Sequence, residues 1–266
     1  MPSPSFQPFA AAVAKLDSKS PVAAALNSAE WSAVPLALRE RAFFSAQVTN
    51  AGTVQALQGA ISEALKMEGD TFMDPAKFVA TIREHLGAAP GDTGELTDLA
   101  SRRRLELIYR QNVESAQEFG RWQAGNDPDL LDAFPAQELI RVEAREVERD
   151  WATRWADAGG RLVGGRMVAL KNDPVWAKLS RFGTPWPPFD FNSGMGVEDI
   201  DRAEAEDLGL LKPGDPAPES PAVGFNSDLQ ASVEGLSPEL AAALVESMGG
   251  VVKLVDGVLR WLGGKP

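Results

Sequence analysis

The chain has 266 residues, a net charge of −12, a sequence pI near 4.7 and a 44% hydrophobic content. That length and apolar fraction allow one large domain or two small ones, while the charge repels nucleic-acid backbones and anionic lipid over most of the surface. With no cysteine, disulfides and thiolate zinc sites are excluded, and a single histidine, His85, excludes a histidine-rich metal centre.

In chain order, residues 1–20 read as a loose arm carrying Pro2, Pro4 and Pro8, with no basic region ahead of the apolar residues, so no signal peptide is expected. The segment 28–68 reads as helix interrupted near Asn50-Ala51-Gly52, with Leu57, Ile61, Ala64 and Leu65 on one face of its second half. "MDPAKFVATIREHLG" predicts a helix capped by Asp74, started by Pro75 and stopped by Gly87, with Phe78, Ile82 and Leu86 at helical spacing. From Leu96 to about Trp122 the apolar stripe Leu105, Ile108, Tyr109, Ala116 and Phe119, interrupted by Asn112, predicts the longest helix. "AFPAQELIRVEAREV" and "GRMVAL" predict short strands, with a short helix at "RDWATRWADAGG" between them and another helix at "VEDIDRAEAEDLGLL". A Pro-rich linker follows, and the tail restarts at Ser237-Pro238 as an amphipathic helix with Leu240, Leu244 and Met248. The run "GGVVKLVDGVLRWLGG" is too short and too charged to span a bilayer, so no membrane association is expected.

The chemistry-bearing motifs are few. No Walker loop, dinucleotide fingerprint or calcium-loop spacing is present. His85 lies near a helix end, where a solvated side chain is the plainer reading, and the many paired carboxylates read as solvated helix faces. No catalytic residue, metal or cofactor is therefore assigned. The basic concentration Arg102, Arg103, Arg104 and Arg110, with Arg121 beyond it, is the candidate contact for phosphate or for an acidic partner surface; any DNA contact there is auxiliary in so acidic a chain.

The stretch "DPVWAKLSRFGTPWPPFDFNSGMG", Asp173 to Gly196, stands apart. Asp173 and Pro174 announce a turn or helix start ahead of Trp176. Pro185, Pro187 and Pro188 stiffen a path along which Trp186, Phe189 and Phe191 alternate. Such a segment loses little entropy on ordering and buries large rings, which suits a docking or core-closing strap.

At these residues the sequence resembles the phage Mu F-like family of minor head, or head morphogenesis, proteins. "NDPVW" is similar to the first half of its C-terminal motif, and "PPFDFNSGM" to the second, with Ser193 and Met195 in the places of two cysteines. Upstream, Arg104, Ile108, Asn112, Gly120 and Arg121 fall in the places of the family's helix motif; Asp150 and Arg154 match an Asp–Arg–His cluster whose His is absent. A subgroup of such head proteins that lacks the cysteines looks more similar still. The resemblance implies a non-enzymatic structural component of a tailed-phage or prophage head. It would associate with portal or capsid proteins and reside in the bacterial cytoplasm during assembly and then in the procapsid or virion. It also implies that Trp151, Trp155, Trp176, Trp186 and the phenylalanines do the work of the missing metal ligands. A phage-delivered hydrolase or toxin-related enzyme and a DNA-binding packaging accessory stand as alternatives. The expected fold is α+β and predominantly helical. A flexible arm (1–20) and a helical N-terminal region (21–95) precede a Mu F-like unit with few short strands (96–211), followed by a Pro-rich linker (212–235) and a C-terminal amphipathic helix (236–262).

Overall fold

The computed structural model describes residues 10–66, 74–222, 230–233, 237–248, 250 and 252–262. About 44% helix and 14% strand in small sheets make this a mixed α+β chain of helical character, as its sequence predicts. The chain divides into two units, Met1–Ala116 with Asn226–Pro266, and Gln117–Phe225.

The first unit begins with α1 (Ala10–Asp17) and β1 (Ser20–Val22), where a loose arm is expected. Long-range contacts that local composition does not announce are the reason. Ala12 and Leu16 are buried against Leu57 and Ile61 of α4 (Ala51–Lys66). The Gln58 side chain donates to the carbonyls of Leu16 at 2.9 Å and Lys19 at 2.8 Å, and the Ser62 hydroxyl donates to Asp17 at 2.5 Å. Pro2, Pro4 and Pro8 lie outside the described residues. Between α1 and α4 the expected continuous helix is broken into α2 (Ser28–Ala33), α3 (Leu36–Arg39) and β2 (Ala42–Phe44), the last pairing in parallel with β1. Asn27 caps α2 in a reciprocal capping box with Glu30, and Pro35 ends any continuation from Val34.

Helix α5 (Pro75–His85) follows its sequence signals: Asp74 accepts the Ala76 N–H at 2.9 Å, and Gly87 adopts φ +58° just past the C-cap Leu86. The long helix α6 (Arg102–Gly125) starts later than expected because residues 95–101 form turns, closed by the Ser101 hydroxyl donating to Glu95 O at 2.5 Å and accepting the Arg104 N–H at 3.3 Å. Leu105, Tyr109, Val113 and Ala116 join Phe78, Ile82 and the α4 face in the first core, with the Phe78 and Tyr109 rings 5.1 Å apart.

The second unit takes the last turns of α6, then α7 (Pro128–Ala133), β3 (Ala136–Arg141), α8 (Trp151–Asp157), β4 (Leu162–Val163), β5 (Arg166–Leu170), α9 (Val175–Leu179), β6 (Met195–Ile200) and α10 (Arg202–Asp207). The strands form one antiparallel sheet in the order β4-β5-β3-β6. Side chains alternate across it. Leu139, Met167, Ala169, Met195 and Val197 face Trp151, Trp155, Trp176, Leu179 and Phe189 on one side; Ala136, Val168 and Ile200 face Ala205 of α10 on the other. "VEDI" is therefore strand, not the start of a helix: Met195 to Ile200 pair residue by residue with Arg141 to Ala136, and the helix begins only after Asp201, which caps it through the Glu204 N–H at 2.8 Å. Lys171, 5% exposed, ties the sheet together by pairing with Asp199 at 2.9 Å while its ammonium lies 3.4 Å from the carbonyl of Gly125, the last residue of α6, where a cation suits the dipole.

The C-terminal segment returns to the first unit as β7 (Gln230–Ser232), α11 (Pro238–Ser247), β8 (Val252–Val255) and β9 (Val258–Trp261). The expected linker thus ends in a strand: β7 pairs with β9, and residues 223–229 and 234–236 lie outside the described residues. The expected tail helix stops at Ser247 and a hairpin follows, turned by Asp256 (φ 50°) and Gly257 (φ 74°), the left-handed pair that a two-residue hairpin turn requires. Leu244, Met248, Val252 and Leu259 are buried with Val22, Val34, Leu38 and Ala42, so this helix docks within its own unit. The side chain of Leu240 lies outside the described residues.

Candidate functional site

The strap is built from short-range polar bonds and closed by rings. The Asp173 carboxylate accepts the Val175 N–H at 2.8 Å and so starts α9. The helix carries Val175, Trp176 and Leu179 into the core. Trp176 is fully buried, its indole N–H donating to Leu170 O at 2.9 Å and its ring lying 5.1 Å from Trp155 and 6.2 Å from Phe189. Beyond α9, the Arg181 N–H donates to Phe189 O at 2.8 Å and closes a loop over residues 181–189 that contains the cis bond Pro187–Pro188. Inside that loop Trp186 is 1% exposed and packs on Trp122 and Phe119 of α6, with ring centroids at 4.8 Å and 5.1 Å. Phe189 is buried and Phe191 is half-buried.

The end of the strap is fastened to the loop between β3 and α8. Gly194 O accepts the N–H groups of Val142 at 2.9 Å and Glu143 at 3.1 Å. Gly194 has φ +66°, and a Cβ there would stand 2.5 Å from the Glu143 carbonyl oxygen. Gly194→Ala therefore combines left-handed strain with a backbone clash, and is expected to cost more than about 2 kcal/mol. A urea midpoint unchanged from the parent would contradict this.

Polar residues of α8 serve the same assembly. Asp150 caps the helix; hydrogen bonds from Thr153, hydroxyl first and N–H second, hold its carboxyl below the usual range. Arg154 donates to Leu179 O at 2.8 Å and to Asp190 at 2.8 Å, and its guanidinium lies 4.8 Å from the centre of the Trp151 ring. Ser193 and Met195 are both buried, and Met195 packs with Trp151 and Phe189.

Of the residues singled out in the sequence, Asp150, Arg154, Asp173, Pro174, Trp176, Trp186, Pro187, Pro188, Phe189 and Phe191 belong to this one locus. Asn112 does not: its amide donates to Ile108 O at 2.8 Å within α6, in the first unit. The arginines of α6 are dispersed as well. Arg104 is buried, its guanidinium donating to Thr97 O at 3.2 Å and to Ala46 O, and burial pulls its pKa down. It is not available to phosphate, because backbone carbonyls have taken it. Arg102 pairs with Glu106 at 2.6 Å and Arg121 pairs with Glu118 in the other unit, while Arg103 and Arg110 are exposed.

Beside Arg154, the site holds residues that the sequence does not single out: Asp190, Arg145, Arg149 and Arg181. Arg145 donates to Asn192 O at 3.0 Å and Arg149 to Phe191 O at 2.7 Å; Arg149 and Arg181 approach Asp190 at 4.0 Å and 3.7 Å. The one local signal is a lone carboxylate between two phenylalanines in "PPFDFN", a buried anion in need of cations. Among the described residues no group of three or more His, Asp or Glu is placed to hold a metal ion, and no helix is long and apolar enough to cross a membrane. No family model, curated protein or solved structure matches the chain.

Proposed function

We propose that the chain is a non-enzymatic minor head, or head morphogenesis, protein of a tailed phage or prophage. In this reading it associates with portal or capsid protein during head assembly or DNA delivery, first in the bacterial cytoplasm and then in the procapsid or virion. The observation that carries the reading is the convergence of three separate motifs of the second unit. Arg154 of the helix that Asp150 caps, Trp176 behind the Asp173 turn, and Phe189 to Met195 of the strap meet at one aromatic core, while Trp186 packs on Phe119 and Trp122. Their polar groups are engaged in capping, in pairing and in holding backbone carbonyls. That is the use expected of a module whose work is to present a rigid surface, and it supports assembly over turnover.

The test is co-expression with a tailed-phage portal protein from the same source as this chain, followed by size and mass analysis. A complex of fixed stoichiometry, and recovery of the polypeptide from purified procapsids, is the expected result. Its absence from both, with the isolated protein folded, would overturn the reading.

A further inference from the structure

Strand β6 is the outer strand of its sheet: the order β4-β5-β3-β6 gives it one neighbour, β3. The ladder fixes which of its backbone groups that neighbour uses, because antiparallel pairs alternate between those that exchange N–H···O bonds and those that do not. The Val142 N–H donates to Gly194 O at 2.9 Å just beyond the Arg141–Met195 pair, so bonding to β3 falls on Gly196, Glu198 and Ile200. The other side of β3 agrees. The Lys171 N–H donates to Pro135 O at 2.9 Å, which turns the odd-numbered residues of β3 toward β5 and leaves the even-numbered ones for β6. The N–H and C=O groups of Val197 and Asp199 therefore point away from the sheet, and among the described residues no protein group bonds to them. Such an edge is a template for a further strand.

The charges along the strand select what joins it. Glu198 is exposed and stands opposite Glu138, whose carboxylate is taken by Arg166. Asp199 holds Lys171 at 2.9 Å and keeps 51% of its side chain exposed. From Glu198 to Asp207 the chain carries six carboxylates and one cation, Arg202, which turns to Asp132 at 2.5 Å and Glu206 at 3.7 Å. Arg166 is shared between Glu138 and Glu204. Three cations, or four with the exposed Lys212 after α10, thus face eight carboxylates once Glu138 and Asp132 are included. A second copy of β6 laid antiparallel on this edge about a two-fold axis would bring Glu198 and Asp199 of each strand against their counterparts, an arrangement that like charges oppose.

We propose that the open edge of β6 is the docking site for a short extended, basic segment of a partner protein. The segment pairs through its main chain with Val197 and Asp199 and so adds a fifth strand to the sheet. It carries basic side chains at two successive positions, one on each face of the sheet, beside Glu198 and Asp199. Its next side chain is apolar and lies beside Val197, which packs against the Trp151 and Trp176 core. The proposal stands on β6 and the charges around it, and holds whatever larger assembly the chain joins.

The test is amide hydrogen exchange read by NMR on the isotope-labelled full chain, with the acetylated peptide Thr-Val-Lys-Lys-Val-Thr as probe. Two further probes carry N-methyl groups on one or the other alternate set of amides, which keeps the charge and blocks one edge of the peptide. In the chain alone, the Val197 and Asp199 amides are expected to exchange fast while those of Gly196 and Glu198 are slow. The peptide at millimolar concentration is expected to slow Val197 and Asp199. One methylated probe should lose this effect and the other keep it, because only one edge of the peptide meets β6. Glu198→Lys, at an exposed position, should weaken binding by about three- to tenfold. No slowing with the peptide, equal behaviour of the two methylated probes, or binding unchanged in Glu198→Lys would each overturn the proposal. Slow exchange of Val197 and Asp199 in a peptide-free chain of dimeric size would overturn it too, by giving the edge to a second copy.

Discussion

Trp176→Ala is expected to lower the stability of the Gln117–Phe225 unit by about 3–5 kcal/mol, the range for truncating a large aromatic in a packed core. The ring is fully buried between Trp155 and Phe189. Its removal leaves a void that the surrounding elements cannot easily collapse into, because the sheet, α8 and the strap all rest on it. Leu170 O also loses the indole donor it has at 2.9 Å. Trp176→Phe keeps most of the area and loses the hydrogen bond, so its cost should be well under half of the alanine cost. Denaturant titration followed by far-ultraviolet circular dichroism decides the matter; an alanine variant within about 1 kcal/mol of the parent would mean that the strap does not close this core.

The second large effect belongs to the first unit. Glu40 and Lys15 are paired at 2.8 Å with only 11% of each side chain exposed. Burial, the largest single influence on Glu40, pushes its carboxyl up. The attraction of Lys19, then of Lys15 with its hydrogen bond, then of Arg39, outweighs burial in sum and holds it below its ordinary value. Lys19 is pulled the other way: burial lowers its pKa, and Glu40 is the one neighbour that resists this. Glu40→Gln leaves these cations without their counter-charge and is expected to cost about 3 kcal/mol or more. Removing one stranded cation should recover part of the loss, so Glu40→Gln with Lys19→Met is expected to be more stable than Glu40→Gln alone.

The pH dependence follows from the direction of the shift. Because the folded-state value of Glu40 lies below the unfolded one, the stabilisation is complete above the ordinary glutamate value of about 4.3. It is lost as the pH falls through the lower folded-state value. Glu40→Gln should therefore flatten the decline in melting temperature on acidification below about pH 4.3. A decline as steep as the parent's would show that another carboxylate dominates.

Much of the local structure is legible without coordinates, because its causes are local. Asp74, Pro75 and Gly87 punctuate α5 with a cap acceptor, a preset φ and a left-handed stop. Short apolar runs at Leu139-Ile140 and Met167 to Leu170, each bounded by turn residues, suffice for β3 and β5. The rings of the strap declare a packing role through size and rigidity alone. The "VDGV" turn of the C-terminal hairpin is legible too, as an Asp-Gly pair between apolar residues.

What the tertiary structure decided are the matters that depend on partners distant in sequence. "VEDI" carries acids that suit a helix, yet it is strand because β3 offers it a ladder and the Trp176 core takes Met195 and Val197 on one face. The N-terminal residues 10–20 are ordered because Gln58 and Ser62, about forty positions away, bind them. Arg104 looks like an exposed member of a basic run, but carbonyls from turns elsewhere enclose it. The cations around Asp190 come from the loop after β3 (Arg145, Arg149), from α8 (Arg154) and from the strap (Arg181), and no motif spaces them. Residue type and spacing determine propensity and which face is apolar. Which backbone groups find partners, and which cations meet one carboxylate, is set by chain segments whose approach no local pattern encodes.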